Sequence, residues 1–452
     1  MALAAGPALQ DRPGDSRLGR DRDRRRRGRA DPADGDSDGT GAGDPGRPRP
    51  CEPWGGGLMR IGFDGGSLAN RRGFGRFARS LLEALARVEP APEVVVLVDR
   101  PSLDSVQVPG RFETVVVPVR EAPSTAASAS GRRRLGDLLA FGRAAAGARL
   151  DAMVFPSSYS FFPVWDSGKV VVTIFDALPL IYPDLVFPGR RGRVLWTIKE
   201  RLAVRAADRI LTTSDASRRD LIAHYRLAPG RVGLIGAAPD PVFRPTEAGP
   251  RSDAVLSKYG LRPGGRFLLY VGGLSPHKNL PRMIGAFSRA APEEVRLVIV
   301  GDFGDVFHTH VPELRAEADR LGVSGRITFT GFVPDEDLVY LYGRAEALVQ
   351  PSLLEGFGLP PVEAMACGTP VLASDAGSLP EVVGEAGLFF DPTDPADIAG
   401  AIAALLEDRA VRDRLAAAAS IRSACFSWDA AARQLLGHLD EIAAPHCPSE
   451  AA

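Results

Sequence analysis

Two glutamates eight positions apart, Glu355 and Glu363, lie in the densest run of functional residue types in the chain. That run is Pro351-Ser-Leu-Leu-Glu-Gly-Phe-Gly-Leu-Pro-Pro-Val-Glu-Ala-Met-Ala-Cys-Gly-Thr-Pro-Val-Leu-Ala-Ser374. It reads as a strand end, a glycine loop, a helix, a glycine turn and a second strand. Gly356 and Gly358 let the backbone come close to a ligand, and a helix opening near Leu359–Pro361 aims free N–H groups at the same point. Such a point suits an anion, best a diphosphate. A carboxylate beside an anion site is disfavoured unless it takes hydroxyls, so the pair calls for a sugar or ribose partner. For Glu363 the structural alternative is an acidic residue favoured by the helix dipole.

Three other segments carry similar chemistry. In Tyr270-Val-Gly-Gly-Leu-Ser-Pro-His-Lys-Asn279, Gly272 and Gly273 allow close approach, and Lys278 is placed to neutralise a departing diphosphate. Lys278 is one of only four lysines among 55 basic residues, a scarcity that argues against casual surface decoration. His277 is either a second cation or a solvated residue at a helix start. In Gly62–Phe77 a Gly73-Phe74-Gly75 turn opens the first helix; it lacks the third glycine and the ribose-binding acid of a dinucleotide fingerprint. Arg76, next in the chain, is either an anion contact or a first-turn residue facing solvent. In Val170–Leu180, Asp176 follows a strand and either orients an acceptor hydroxyl or caps a turn.

The elements that must position these residues alternate. Apolar runs without period-2 polarity at Val94–Val98, Val115–Val119, Val170–Phe175 and Arg209–Thr213 predict strands buried on both faces. Helical periodicity follows at Arg76–Val88 and Arg191–Ala206. After the Pro/Gly-rich stretch Pro239–Pro250 a second series begins, with strands at Phe267–Val271, Val295–Val300, Arg326–Thr330, Ala347–Pro351, Pro370–Ser374 and Leu388–Asp391, and helices including Leu280–Ala290 and Glu363–Cys367. This is α/β architecture: two doubly wound, Rossmann-like parallel-sheet domains facing across a crevice, the expected ligand site. The expected boundaries are an extension over 1–58, a first Rossmann-like domain over 59–245, a second over 246–430, and a C-terminal helix and tail over 431–452. The amphipathic stretch Trp428–Ile442 either caps the second domain or crosses back to the first.

Composition removes several classes. The 55 basic and 56 acidic residues nearly cancel, giving no sign of nucleic-acid binding. No stretch approaches the roughly 20 apolar residues of a membrane span. Four scattered cysteines exclude a disulfide scaffold or zinc finger and fit a reducing cytosol. Residues 1–58 are nearly free of aromatic and β-branched side chains; Arg20–Arg29 is basic and Asp31–Asp44 holds five aspartates. That extension is either a self-neutralising tail or an arm for anionic partners, and Met59 is a candidate native start.

The string from Pro351 resembles the Glu-x7-Glu region of retaining glycosyltransferase family 4, which has the GT-B architecture. The similarity continues through Ser378-Leu-Pro-Glu-Val-Val-Gly-Glu-Ala-Gly387 and Asp391-Pro-Thr-Asp394, and covers the chain from Met59 to about Ile442. The resemblance implies that Glu355 contacts the donor sugar near the reacting centre and that Glu363 binds the nucleotide ribose. The amides of Gly356, Phe357, Gly358 and Leu359 would then lie near sugar or phosphate, Lys278 on the donor phosphate, and Gly73 and Gly75 near phosphates and acceptor. Many members place an arginine at or near the position of Gly273 and a histidine at that of Phe175; neither is present here.

The implied activity is metal-independent, retaining transfer of a hexosyl group, mannose or glucose, from a nucleotide sugar such as GDP-mannose or UDP-glucose to a glycan or glycolipid. No cofactor is implied beyond that substrate. The alternatives are a catalytically silent GT-B binding or regulatory subunit, motivated by Phe175 and Gly273, and a nucleotide-sugar epimerase-like enzyme. The expected location is cytoplasmic. Arg132–Arg134 before Leu138–Phe141, and Arg190, Arg191 and Arg193 with Trp196, suit either peripheral contact with an anionic membrane or two helices with solvated arginines.

Overall fold

The computed structural model describes residues 59–70, 73–120, 134–165, 168–187, 189–303 and 311–443. The readings for 1–58 and for Arg132 and Arg133 therefore fall outside the described residues.

The first domain is built on a seven-stranded sheet, all parallel, in the order β3-β2-β1-β4-β5-β6-β7. Its strands are β1 (Arg60–Asp64), β2 (Glu93–Asp99), β3 (Glu113–Val117), β4 (Ala152–Phe155), β5 (Lys169–Thr173), β6 (Arg209–Thr212) and β7 (Val232–Leu234). The main helices between them are α1 (Gly73–Leu85), α2 (Leu135–Gly147), α3 (Arg190–Ala206) and α4 (Asp215–Tyr225). The sheet forms because its central runs are β-branched and have no polar face: Val94–Val98 and Val171–Val172 are buried throughout.

The second domain follows α5 (Pro250–Lys258). Its six parallel strands run β10-β9-β8-β11-β12-β13. They are β8 (Phe267–Val271), β9 (Arg296–Val300), β10 (Ile327–Gly331), β11 (Ala347–Gln350), β12 (Val371–Ser374) and β13 (Gly387–Phe390). Its helices are α6 (Leu280–Ala290), α7 (Val311–Arg320), α8 (Asp335–Arg344), α9 (Leu359–Ala366), α10 (Leu379–Val383), α11 (Pro395–Glu407) and α12 (Arg409–Ser423). Both sheets reverse strand order, between β1 and β4 and between β8 and β11, and chain order there leaves a crevice at the carboxyl ends of the strands.

The last helix, α13 (Trp428–Ala443), crosses back to the first domain. Trp428 packs edge-on against Phe77 of α1 at 5.5 Å between ring centroids. Polar ties flank that contact: Arg87 to Asp429 at 2.7 Å and Arg209 to Glu441 at 2.7 Å. Among the described residues no helix is long and apolar enough to cross a membrane.

Candidate functional site

The loops that leave β8 and β11 meet at the reversal point of the second sheet. Leu353 donates its backbone N–H to the His277 carbonyl at 2.9 Å. The amide of buried Asn279 donates to the carbonyls of Pro351 at 3.1 Å and Pro392 at 2.7 Å. Asn279 has φ +59°, so it ends the Lys278 turn and caps α6 in a conformation asparagine tolerates. These bonds fix Lys278 against the second loop, where its Nζ donates to Glu355 Oε1 at 2.6 Å. Gln350 Nε2 at 2.7 Å and Ser352 Oγ at 2.6 Å donate to the same oxygen. Burial alone would raise the Glu355 carboxyl, but Lys278 and the Ser352 hydroxyl outweigh it and hold the group below the usual carboxylate range.

Gly358, at φ +93°, turns the chain into α9. Pro360 and Pro361 follow and have no N–H, so the amide donors at this end of the helix belong to Gly356, Phe357, Gly358 and Leu359. Ser378 Oγ donates to the Phe357 carbonyl at 3.0 Å and holds the loop from behind.

The first domain supplies the opposite wall. A cleft of about 350 Å³ runs between Gly73, Phe74, Asp176 and Glu200 on one side and Lys278 and Glu355 on the other. The walls touch at Gly356: its carbonyl accepts from Thr213 Oγ1 at 3.1 Å, and a Cβ on Gly356 would sit 2.5 Å from the Phe175 carbonyl oxygen. Glu381, just inside α10, accepts from the backbone N–H groups of Asp215 and Ala216 at the start of α4. A carboxylate there meets free N–H groups and the positive end of the helix dipole. At the α1 turn, a Cβ on Gly75 would lie 1.9 Å from the Asn70 carbonyl oxygen, so only glycine fits.

Beside this cleft is a second one of about 240 Å³, lined by Arg76, Gly272, Gly301, Asp335 and Glu363 among others. Here Arg76 pairs with both carboxylates: its Nη1 with Glu363 and its Nη2 with Asp335 at 2.7 and 2.9 Å. Tyr342 Oη donates to the other Glu363 oxygen at 2.9 Å. Burial raises the Glu363 carboxyl, and Arg76 and Tyr342 offset only part of that.

Two family models match the chain: "Glycosyl transferases group 1" over residues 253–422 and "Glycosyl transferase 4-like domain" over residues 72–238. The chain is 34% identical over 321 residues to a D-inositol 3-phosphate glycosyltransferase of Acidothermus cellulolyticus, covering 65% of this chain and 69% of that one. The chain belongs to the group 1 glycosyltransferases. It is also 38% identical over 234 residues to O-antigen chain mannosyltransferase B of Escherichia coli, a match over 50% of this chain that spans 58% of that relative's length. Among solved structures, Anabaena HepE in complex with UDP and glucose superposes with a TM-score of 0.61 at 20% identity, covering 85% of this chain and all of that one. At that identity the likeness shows the fold, which is GT-B.

In this group 1 glycosyltransferase the structure brings Lys278, Glu355, the Gly356–Leu359 loop, Gly73 and Asp176 to one cleft, with Gly272 and Gly273 in its wall. Glu363 lies outside that set and lines the second cleft. Two expectations need correction. Arg76 does not face solvent: two carboxylates of the second domain hold its guanidinium, as Glu355 holds Lys278. His277 is half-buried and is not a cationic clamp. Burial is the main cause that pushes its imidazole down to about 3, with Lys278 adding to it, so the ring is neutral. Asp176 serves as the turn former weighed for it, accepting from the Leu178 N–H at 2.8 Å, and still lines the cleft. Two site residues carry no local signal: Glu381, whose partners are 165 and 166 positions away, and Glu200, in a helix whose arginines and Trp196 stand out instead.

Proposed function

We propose that this protein is a retaining glycosyltransferase that moves a hexosyl group, mannose or glucose, from a nucleotide sugar to a glycan or glycolipid, without a bound metal. The observation that carries this is the pairing of Lys278 with Glu355 beside the Gly356–Leu359 amides, at the reversal point of the second sheet. That is where a doubly wound domain binds a nucleotide. A diphosphate placed there displaces Glu355 from Lys278 and takes the cation and loop amides as its own partners. Charge that develops on the leaving group then meets fixed donors in a cleft that excludes water. Glu355, released from Lys278 but still held by Gln350 and Ser352, turns its remaining capacity to the sugar hydroxyls. Glu363 takes the ribose hydroxyls once Arg76 moves off it. The names of the mannosyltransferase relative and of the UDP-bound structural neighbour support a hexosyl donor of this kind.

The outer face of α3 supports a peripheral membrane contact in the same reading. Val194, Leu195, Ile198 and Leu202 are each more than half exposed, with Arg190, Arg191, Arg193, Arg201 and Arg205 exposed around them. An apolar stripe edged by arginine suits an anionic lipid surface.

The test is product analysis. The protein is incubated with GDP-mannose, UDP-glucose, UDP-galactose and UDP-GlcNAc, with and without a chelator, and the anomeric configuration of the product is read by NMR. A product that keeps the donor's configuration, formed in the chelator, supports the proposal. Inversion, an epimerised donor or loss of turnover in the chelator contradicts it.

A further inference from the structure

The wall of the cleft formed by the first domain carries a buried carboxyl that the donor reading leaves unused. Glu200 is 2% exposed, on the inner face of α3, and lines the same cleft as Asp176 and Lys278. The side chain of Ser158 hydrogen-bonds to it, whereas Oε2 has no hydrogen-bond partner among the described residues. A buried polar oxygen left unpaired costs about 1–3 kcal/mol. A ligand that supplies the missing partner accounts for a carboxyl at this position.

The surroundings define the ligand's chemistry. The adjacent cation, Lys199, is directed at the Tyr159 carbonyl at 2.6 Å. Asp176 is close enough for its charge to act on Glu200, so an anionic group would meet two carboxyls at once. Burial is the main cause that raises both, Glu200 to about 7 and Asp176 to about 6. The Glu200 oxygen is thus a donor when protonated and an acceptor when not. A hydroxyl can answer either state, because it both donates and accepts. The remaining lining is aromatic: Phe74 and Tyr159 stack at 5.0 Å, and Trp196 of α3 lies on the same wall. Flat apolar rings around a few polar groups are the make-up of a pocket for a small neutral molecule with both C–H faces and hydroxyls.

We propose that Glu200 binds a hydroxyl of a neutral acceptor sugar seated between the Phe74–Tyr159 stack and Trp196. This assigns the acceptor subsite to the α3 wall and makes Glu200 a positioning residue for the incoming hydroxyl. It rests on the reading of the cleft as a site of glycosyl transfer, with the donor on the opposite wall.

The test uses the full chain and two probes, methyl α-D-mannopyranoside and methyl α-D-glucopyranoside, whose binding is measured by saturation-transfer NMR in the absence of donor. Mannose 6-phosphate is the charged comparison. Wild-type protein should bind at least one methyl glycoside and discriminate at least tenfold against the phosphorylated sugar. Glu200→Ala should weaken glycoside binding at least tenfold, whereas Glu200→Gln, whose amide also donates and accepts, should stay within about threefold of wild type. Binding of UDP and GDP, followed in all three proteins, reports the donor wall separately. If neither nucleotide binds but the glycoside pattern holds, the donor reading fails and the Glu200 subsite stands. The proposal is overturned if neither glycoside binds wild-type protein, if the phosphorylated sugar binds as well as the neutral ones, or if Glu200→Ala binds them unchanged.

Discussion

Lys278 and Glu355 are each other's partner across the loops of the second sheet, Nζ to Oε1 at 2.6 Å, with both side chains largely buried. The ammonium offsets the burial of the carboxylate, and the carboxylate keeps a cation poised where a diphosphate is expected to sit. Truncating either partner therefore has two separable effects. Lys278→Ala leaves Glu355 with only Gln350 and Ser352 as donors, and we expect a stability loss of about 1–3 kcal/mol. Glycosyl transfer should fall by about 10²–10³ as the leaving group loses its cation. Lys278→Arg should recover stability better than turnover, because the wider guanidinium does not place a point charge at the same spot. Chemical denaturation and initial rates on the same samples separate the two.

Arg76 ties α1 of the first domain to Glu363 and Asp335 of the second. Replacing it with Met leaves a buried carboxylate without its cation, and the penalty should be about 2–4 kcal/mol. The variant should also open the crevice, which small-angle scattering reads as a larger radius of gyration. An unchanged radius and melting temperature would mean that the triad contributes nothing to how the walls are held.

The raised carboxyls on the α3 wall give stability a defined dependence on pH. Glu200, up at about 7 when folded against an ordinary 4.5, binds more protons in the native than in the unfolded state between those values. Stability therefore falls as pH rises through that window, with no cost below it. Asp176 adds in the same direction between its ordinary 3.8 and about 6. Glu200→Gln, which carries no charge to bury, should be more stable than wild type at pH 8 by up to about 3 kcal/mol and close to it at pH 4.5. Melting temperatures of the two proteins across that range check the sign.

Gly356 is the point where the two walls touch, and its place permits no side chain. Gly356→Ala would put a methyl group 2.5 Å from the Phe175 carbonyl oxygen, which is backbone and cannot move aside cheaply. The expected result is a protein that folds, because Gly356 lies in a loop at the edge of both cores, but whose cleft is splayed. Turnover should drop at least a hundredfold with a loss of only about 1 kcal/mol in stability.

Much of this site is legible in the sequence because its determinants are local. Phe267–Val271 and Leu280–Ala290 fall as expected to the residue, the first an uninterrupted buried run and the second an amphipathic helix with proline in its first turn. Lys278 with Gly272 and Gly273, and Glu355 with Gly356 and Gly358, lie on short strand-to-helix loops with recognisable punctuation. The strands Ala152–Phe155 and Val232–Leu234 were not legible: they are four and three residues long, and Ala152, Met153 and Gly233 interrupt any β-branched run. Partnerships over long separations were equally hidden. Arg76 and Glu363 are 287 positions apart, and nothing near either residue announces the other. Glu200 sits on a helix whose arginines dominate its pattern, so its inward face shows only when α3 is placed against the sheet.

The Lys278–Glu355 pair is the proposed donor site for a nucleotide sugar. The most direct measurement is calorimetric binding of GDP-mannose and UDP-glucose, together with slow donor hydrolysis, in wild type, Lys278→Ala and Glu355→Gln. Micromolar binding of one donor to wild type is expected, with binding at least tenfold weaker in Lys278→Ala. Hydrolysis should fall at least a hundredfold in Glu355→Gln, with the diphosphate still bound. Equal donor affinity in wild type and Lys278→Ala would remove the pair from the donor site.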